Sequence, residues 1–252
     1  MVIHLNIPLI FERRIILRLL IIIPAYNESE SIVQVVEELN ASVPEYDYII
    51  INDGSADETA KICREHGYRL LDLPANLGLT GAVQTGMRYA YEKNYDAAIQ
   101  IDGDGQHDPH YIKKMAMLME EKDADLVIGS RFLTDKRPHS LRMLGNTIIE
   151  LAIRMTTGQK VSDPTSGMRM YGYRLLKEMA YNINASPEPD TIAFLLRCGA
   201  RMEEIQVKMR ERTAGESYLS LSRSIRYMAH ICMNIFFIQW VRKRSELKCL
   251  GT

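Results

Sequence analysis

Residues Leu17 to Ile23 form a nearly unbroken run of leucine and isoleucine, interrupted only by Arg18. A run this apolar on both faces fits a strand buried on both sides, as inside a parallel sheet covered by helices. Pro24 is expected to end it. Ser29 and Ser31 can cap a following helix that carries Ile32, Val33, Val35, Val36 and Leu39. The same alternation then recurs. Strands are expected at Tyr48–Ile51, Tyr68–Leu73, Ala97–Ile101 and Asp125–Gly129, with helices near Asp57–Glu65, Gly78–Tyr91 and Pro109–Glu121. This β-α-β-α order predicts an α/β fold with a mostly parallel sheet flanked by helices. In such sheets ligands bind beyond the carboxyl ends of the strands. Three polar clusters follow predicted strands: Tyr26-Asn27-Glu28, Asn52-Asp53-Gly54-Ser55 and Asp102-Gly103-Asp104. They should meet on one rim.

The second half reads differently. A basic loop covers Arg131 to Arg142, a helix is expected over Met143–Thr156, and Asp163–Gly172 is turn-rich. Glu188–Gly199 reads as helix and Met202–Met209 alternates like a strand. With 252 residues and no linker or repeat, the chain reads as an extension over 1–14, one domain over 15–218, and a C-terminal element over 219–252. A net charge of −1 gives no reason to expect a nucleic-acid partner. The four cysteines form no C-x-x-C pair, so no zinc ribbon is indicated, and scattered thiols fit a reducing compartment. No run of about 18 apolar residues is present.

Asp102 and Asp104 carry the chemistry. Residues i and i+2 at an extended strand end point the same way. Two such carboxylates repel unless a cation joins them, and a hard divalent ion with oxygen ligands suits the pair. Gly103 and Gly105 allow close approach of the backbone to a phosphate. A calcium loop is excluded because His107 stands where it needs glycine and Lys113 where it needs glutamate. No G-x-G-x-x-G follows the first strand, and no G-x-x-x-x-G-K-[ST] is present.

An ordered set of motifs resembles family 2 glycosyltransferases of the GT-A fold. They are Ile22-Ile23-Pro24-Ala25-Tyr26-Asn27-Glu28, Asn52-Asp53-Gly54-Ser55, Asn76-Leu77-Gly78, Asp102-Gly103-Asp104-Gly105-Gln106 and Gly129-Ser130-Arg131. Asp163-Pro164-Thr165-Ser166-Gly167-Met168-Arg169 and Arg212-Thr213-Ala214-Gly215-Glu216-Ser217 extend the likeness to the branch of dolichyl-phosphate mannosyltransferases and bacterial polyprenyl-phosphate sugar transferases. The resemblance implies that Pro24, Tyr26, Glu28, Asp53 and Asn76 hold a nucleotide-sugar. It implies that Asp102 sits near ribose or metal, and that Asp104 and Gln106 bind Mg2+ or Mn2+. Arg131, Ser166, Arg169 and Arg212 fall where that branch reads donor and acceptor phosphates. Asp104, Arg131 and Asp163 are the expected catalytic residues. Tyr218 stands where dolichyl-phosphate enzymes often show lysine, and Gln239-Trp240-Val241-Arg242 does not fit the Q-x-x-R-W of processive synthases.

The expected reaction is inverting transfer of one sugar to a polyprenyl phosphate in cell-envelope glycan synthesis, which needs little base catalysis because the acceptor is already ionised. Transfer to a glycan hydroxyl would need a base, for which Asp163, Glu188 and Asp190 are candidates. The intact Asp102/Asp104 pair argues against a catalytically silent subunit. Between Glu216 and Glu246 there is no acidic residue. Ile225, Met228, Ile231, Cys232, Ile235 and Phe236 share one helical face, and Arg223, Arg226, His230 and Asn234 another. Such a helix fits peripheral membrane contact through 222–244, or docking on the domain, on a second copy or on a membrane protein. The expected location is cytoplasmic, on the inner face of the membrane.

Overall fold

The computed structural model describes residues 17–135, 141–182, 186–210 and 221–238. The expected extension over 1–14, Arg212 with its motif, Tyr218, Trp240 and the basic residues 242–244 lie outside them. The first half runs β1 (Leu19–Ala25), α1 (Ile32–Ser42), β2 (Asp47–Asn52), α2 (Thr59–Glu65), β3 (Leu70–Asp72), α3 (Gly78–Glu92) and β4 (Ala97–Gln100). The chain continues through α4 (His110–Lys122), β5 (Leu126–Ser130), α5 (Leu141–Thr157), β6 (Arg169–Gly172), α6 (Tyr173–Tyr181), α7 (Pro189–Arg197), β7 (Met202–Gln206) and α8 (Leu221–Met233). A π-helical turn, Asn234–Ile238, follows α8.

One seven-stranded sheet has the order β3-β2-β1-β4-β6-β5-β7. β1 is buried throughout, and its side chains alternate between two cores. Leu20 and Ile22 pack with Val83, Met87 and Ile128 on one face. Leu19, Ile21 and Ile23 pack with Val36, Ile112 and Met115 on the other. That double burial is why the sequence run is continuous rather than alternating. Pro24 does not end the strand but lies inside it, paired in register with Ile51. β4 reaches only as far as Ile22, so no strand on that side requires an N–H from position 24.

The sheet is mixed. β6 runs antiparallel to both β4 and β5, whereas the other pairings are parallel. Residues Asp163–Gly172 therefore hold a strand as well as a turn. Arg169-Met170-Tyr171-Gly172 is too short to show a period, and it opens on a charge that the fold buries. α8 docks on the domain by one side. Ile231 and Ile235 are buried in the core, and Met228 lies directly against Gly145 of α5. Arg226, His230, Phe236 and Phe237 stay exposed.

The chain leaves β1 toward β2 and β3, then returns to β4 on the opposite side. The carboxyl ends of β1 and β4 therefore flank the point where the strand order reverses, which is where an open α/β sheet places its ligand crevice.

Candidate active site

The residues after β1, β2 and β4 converge as expected. A cleft of about 370 Å³ is lined there by Pro24, Tyr26, Glu28, Asp53, Asn76, Asp102 and Asp104, all anticipated from sequence. Gly78, Leu79 and Ala82 from the start of α3 complete one wall. Backbone and side-chain bonds lock the strand ends together. Asp53 donates its amide to the Ala25 carbonyl (2.9 Å), and its carboxylate accepts the Leu77 amide (2.7 Å). The Ser31 hydroxyl makes no helix-capping bond. Instead it contacts the Glu28 carboxylate and the Gly103 carbonyl, each at 2.8 Å. Gly54 has φ +65°, and a Cβ there would sit 2.7 Å from the backbone of Ala75 and Asn76. Only glycine lets the loop after β2 press against the loop before α3.

The Asp102–His107 segment folds on itself. Gln106 donates its amide to the Asp104 carboxylate (3.1 Å), and Asp104 is nearly buried. His107 is buried, and its Nδ1 accepts the Asp102 amide (2.9 Å), so that nitrogen is unprotonated and supports the loop. Four carboxylates, Glu28, Asp53, Asp102 and Asp104, line the cleft, with no lysine or arginine among the described residues lining it. Among the described lining residues, a diphosphate would meet four carboxylates and no cationic side chain. Carboxylate and amide oxygens are the ligands a hard divalent cation prefers, so the lining fits such an ion.

A turn over Asp163–Met168 forms the adjoining wall. At one end Asp163 is fully buried and holds Arg131 through Nε (2.6 Å), Nη2 (2.8 Å) and the Arg131 amide (3.1 Å). Asn146 of α5 adds a bond to the same carboxylate (3.0 Å), and Arg131 also reaches Thr165 (2.9 Å). Burial alone would raise the Asp163 carboxyl, but the Arg131 hydrogen bonds and charge outweigh it and hold it below the usual carboxylate range. At the other end Gly167 lies against Asp102 of the cleft and His107. A Cβ there would come 3.1 Å from the Asp102 carboxylate and 3.2 Å from the His107 ring.

Two expected phosphate readers sit elsewhere. Ser166 is buried, and its hydroxyl donates to the Gly129 carbonyl (2.5 Å). Arg169 is 1% exposed and donates to main-chain carbonyls. Both hold the turn rather than face the cleft. The expected bases Glu188 and Asp190 are also engaged, with Tyr227 and Asn234 of the C-terminal helix. Glu38, Asp108 and His110 form a further acidic cluster, but Arg210 inserts between Glu38 (2.7 Å) and Asp108 (3.4 Å) as its cation.

Residues 20–181 match the family described as Glycosyl transferase family 2. The chain belongs to that family. It is therefore a glycosyltransferase with the GT-A fold expected from its motifs. The undecaprenyl-phosphate mannosyltransferase of Micrococcus luteus is 31% identical over 217 residues, covering 81% of this chain and 88% of that protein. The UDP-N-acetylglucosamine–dolichyl-phosphate N-acetylglucosaminyltransferase of Methanococcus voltae is 32% identical, covering 66% and 73%. A solved structure of glucosyl-3-phosphoglycerate synthase from Mycobacterium tuberculosis, in complex with Mn2+, uridine diphosphate and glucosyl-3-phosphoglycerate, shares the fold of this glycosyltransferase. The TM-score is 0.65 at 19% identity, over 86% of this chain and 79% of that one.

Sequence reasoning gave no role to Asn146, to Gly167 or to Leu79 and Ala82 of the α3 wall. Asn146 carried a signal: it falls on the apolar stripe of α5 with Met143, Ile149 and Ile153, where a polar side chain needs a buried partner. Gly167 carried none, because only the folded turn shows what its hydrogen touches.

Proposed function

We propose that this glycosyltransferase moves one sugar from a nucleoside-diphosphate sugar to a polyprenyl phosphate, inverting the anomeric carbon. The observation that carries the choice of acceptor is the commitment of Asp163 to Arg131. A carboxylate held below its usual pKa by a bidentate guanidinium is a poor proton acceptor. Glu188 and Asp190 are likewise bonded within the fold. Among the described residues of this wall a hydroxyl acceptor would find no free base, whereas a phosphate monoester needs none. The names of the M. luteus and M. voltae relatives, both lipid-phosphate transferases, support the same choice.

In this reading a phosphate oxygen of the acceptor attacks the anomeric carbon. The bond from that carbon to the diphosphate oxygen breaks, and its electron pair leaves with the nucleoside diphosphate. Pro24, Tyr26, Glu28, Asp53 and Asn76 enclose the nucleoside side of the donor. Asp104, with Asp102 and Gln106, would hold Mg2+ or Mn2+, which when bound neutralises charge developing on the diphosphate. Arg131 meets the acceptor phosphate, for which a planar guanidinium is suited. Its Nη1 makes no hydrogen bond among the described residues.

The acceptor's chain lies in a bilayer, so the enzyme must rest on one. α5 supports this. Its inner side gives Asn146 to the Asp163 turn, and its outer side exposes Leu144, Ile148, Leu151 and Met155 in one stripe. Phe236 and Phe237, beyond α8, add to the exposed apolar surface, and Arg154 and Arg226 are exposed cations on the same two helices. Among the described residues, no helix is long and apolar enough to cross a membrane. The reading is contact with the inner face of the membrane, where soluble donor and lipid acceptor are both within reach.

A thermal-shift series with uridine, guanosine and thymidine diphosphates, each with and without Mg2+ or Mn2+, tests the donor half. One nucleotide should stabilise the protein only with the ion present, and Asp104→Asn should remove that shift. Equal stabilisation without the ion would contradict the anionic-cleft argument.

A further inference from the structure

The turn that carries Asp163 is held from behind by a side chain that faces away from the cleft. Arg169 donates from Nε to the Ser166 carbonyl (2.8 Å), from Nη2 to Pro164 (2.8 Å) and from Nη1 to Glu188 (3.3 Å). Burying a guanidinium against neutral carbonyls is unfavourable on its own. What it secures is geometry, because one planar fork fixes two points of the turn and one point of the loop before α7. Glu188 then passes the link outward. Its carboxylate accepts the hydroxyl of Tyr227 on α8. Burial and the Glu188 charge push that hydroxyl well above the ordinary tyrosine range, so it stays protonated and donates. The same turn holds Arg131 through Asp163 at one end and abuts Asp102 through Gly167 at the other.

We infer that Tyr227, Glu188 and Arg169 are positioning residues forming a relay, by which the C-terminal helix sets the placement of Arg131 toward the acceptor phosphate. The inference rests on the lipid-phosphate reading for its kinetic test but not for its structural one. Docking of α8 then does more than cover apolar surface: it sets the acceptor wall.

The experiment compares wild type with Tyr227→Phe, Glu188→Ala, Glu188→Gln and the Tyr227→Phe/Glu188→Ala pair. Transfer to undecaprenyl phosphate in detergent gives separate KM values for donor and acceptor. Hydrogen exchange is followed in peptides covering 129–134 and 163–168. Tyr227→Phe should raise the acceptor KM about five-fold, the size of one lost hydrogen bond, with donor KM within about two-fold. Both peptides should exchange faster. Glu188→Ala should match it, and the double variant should add nothing. Glu188→Gln keeps an oxygen for the tyrosine hydroxyl and should behave as wild type. The relay is overturned if donor and acceptor KM rise together, if exchange in both peptides is unchanged, or if Glu188→Gln loses kcat as a base would. Should wild type transfer nothing to undecaprenyl phosphate, the acceptor reading fails, and the exchange result alone still decides the relay.

Discussion

Asp163 shows how one carboxylate changes role with its partners. In the sequence it was open to service as a base. In the fold it is buried, and Arg131, Asn146 and Thr165 take up its oxygens. The same contacts make it a source of pH-dependent stability. Its folded pKa lies below the ordinary value of 3.8. The pair's contribution is therefore complete above that value and is lost as pH falls through the folded pKa. Asp163→Asn should cost about 3 kcal/mol above pH 5, a Tm drop of roughly 6–12 °C. The gap should narrow as the wild type is titrated below pH 3.8. A Tm gap equal at pH 3 and pH 7 would mean that charge is not what holds the pair. The donor-side acids are the opposite case. Glu28, Asp53, Asp102 and Asp104 face one cleft whose described lining carries no lysine or arginine, and their proximity was legible because each follows a strand.

At the scale of elements, legibility tracked periodicity. β1, β2, α3 and α4 could be read within a residue or two because their apolar patterns are long and agree with local propensity. β6 could not, because four residues beginning with a buried arginine carry no period. The buried positions of Ser166 and Arg169 were hidden for the same reason: a motif gives the residue and only packing gives its direction. α8 was read as amphipathic, but which surface its apolar side met was open. The burial of Ile231 and Ile235 shows docking on the domain, and the exposed Phe236 and Phe237 leave apolar surface beyond it. The stripe on α5 supplies the missing part of that surface. Replacing Leu144, Ile148, Leu151 and Met155 with serine should cut binding to anionic vesicles about ten-fold or more, from the apolar area removed. Tm should hold within a few degrees, since these side chains face outward. Vesicle binding as in wild type would refute the bilayer contact, and a fall in size-exclusion mass would assign the stripe to a second copy instead.

For the whole molecule, the sheet does the sorting. Its reversal between β1 and β4 puts the acidic strand ends on one side of a crevice. The antiparallel β6 then brings the Asp163–Met168 turn back beside them from the other half of the chain. The acidic cleft and the Asp163–Met168 turn thus come from different halves and meet where Gly167 lies against Asp102. α5 joins the Asp163 turn to the exposed apolar stripe, so in the proposed reading one body would serve a cation-dependent donor, an arginine-held acceptor and the membrane. The direct test of that account is product analysis of wild type incubated with undecaprenyl phosphate and a panel of labelled nucleoside-diphosphate sugars, with Mg2+ or Mn2+ and with chelator. One donor should give a lipid-phosphate-linked sugar of inverted anomeric configuration. Chelator should abolish it, and Asp104→Asn should lower it at least about 100-fold. Transfer that persists in chelator, or label appearing only on a glycan hydroxyl, would contradict the account.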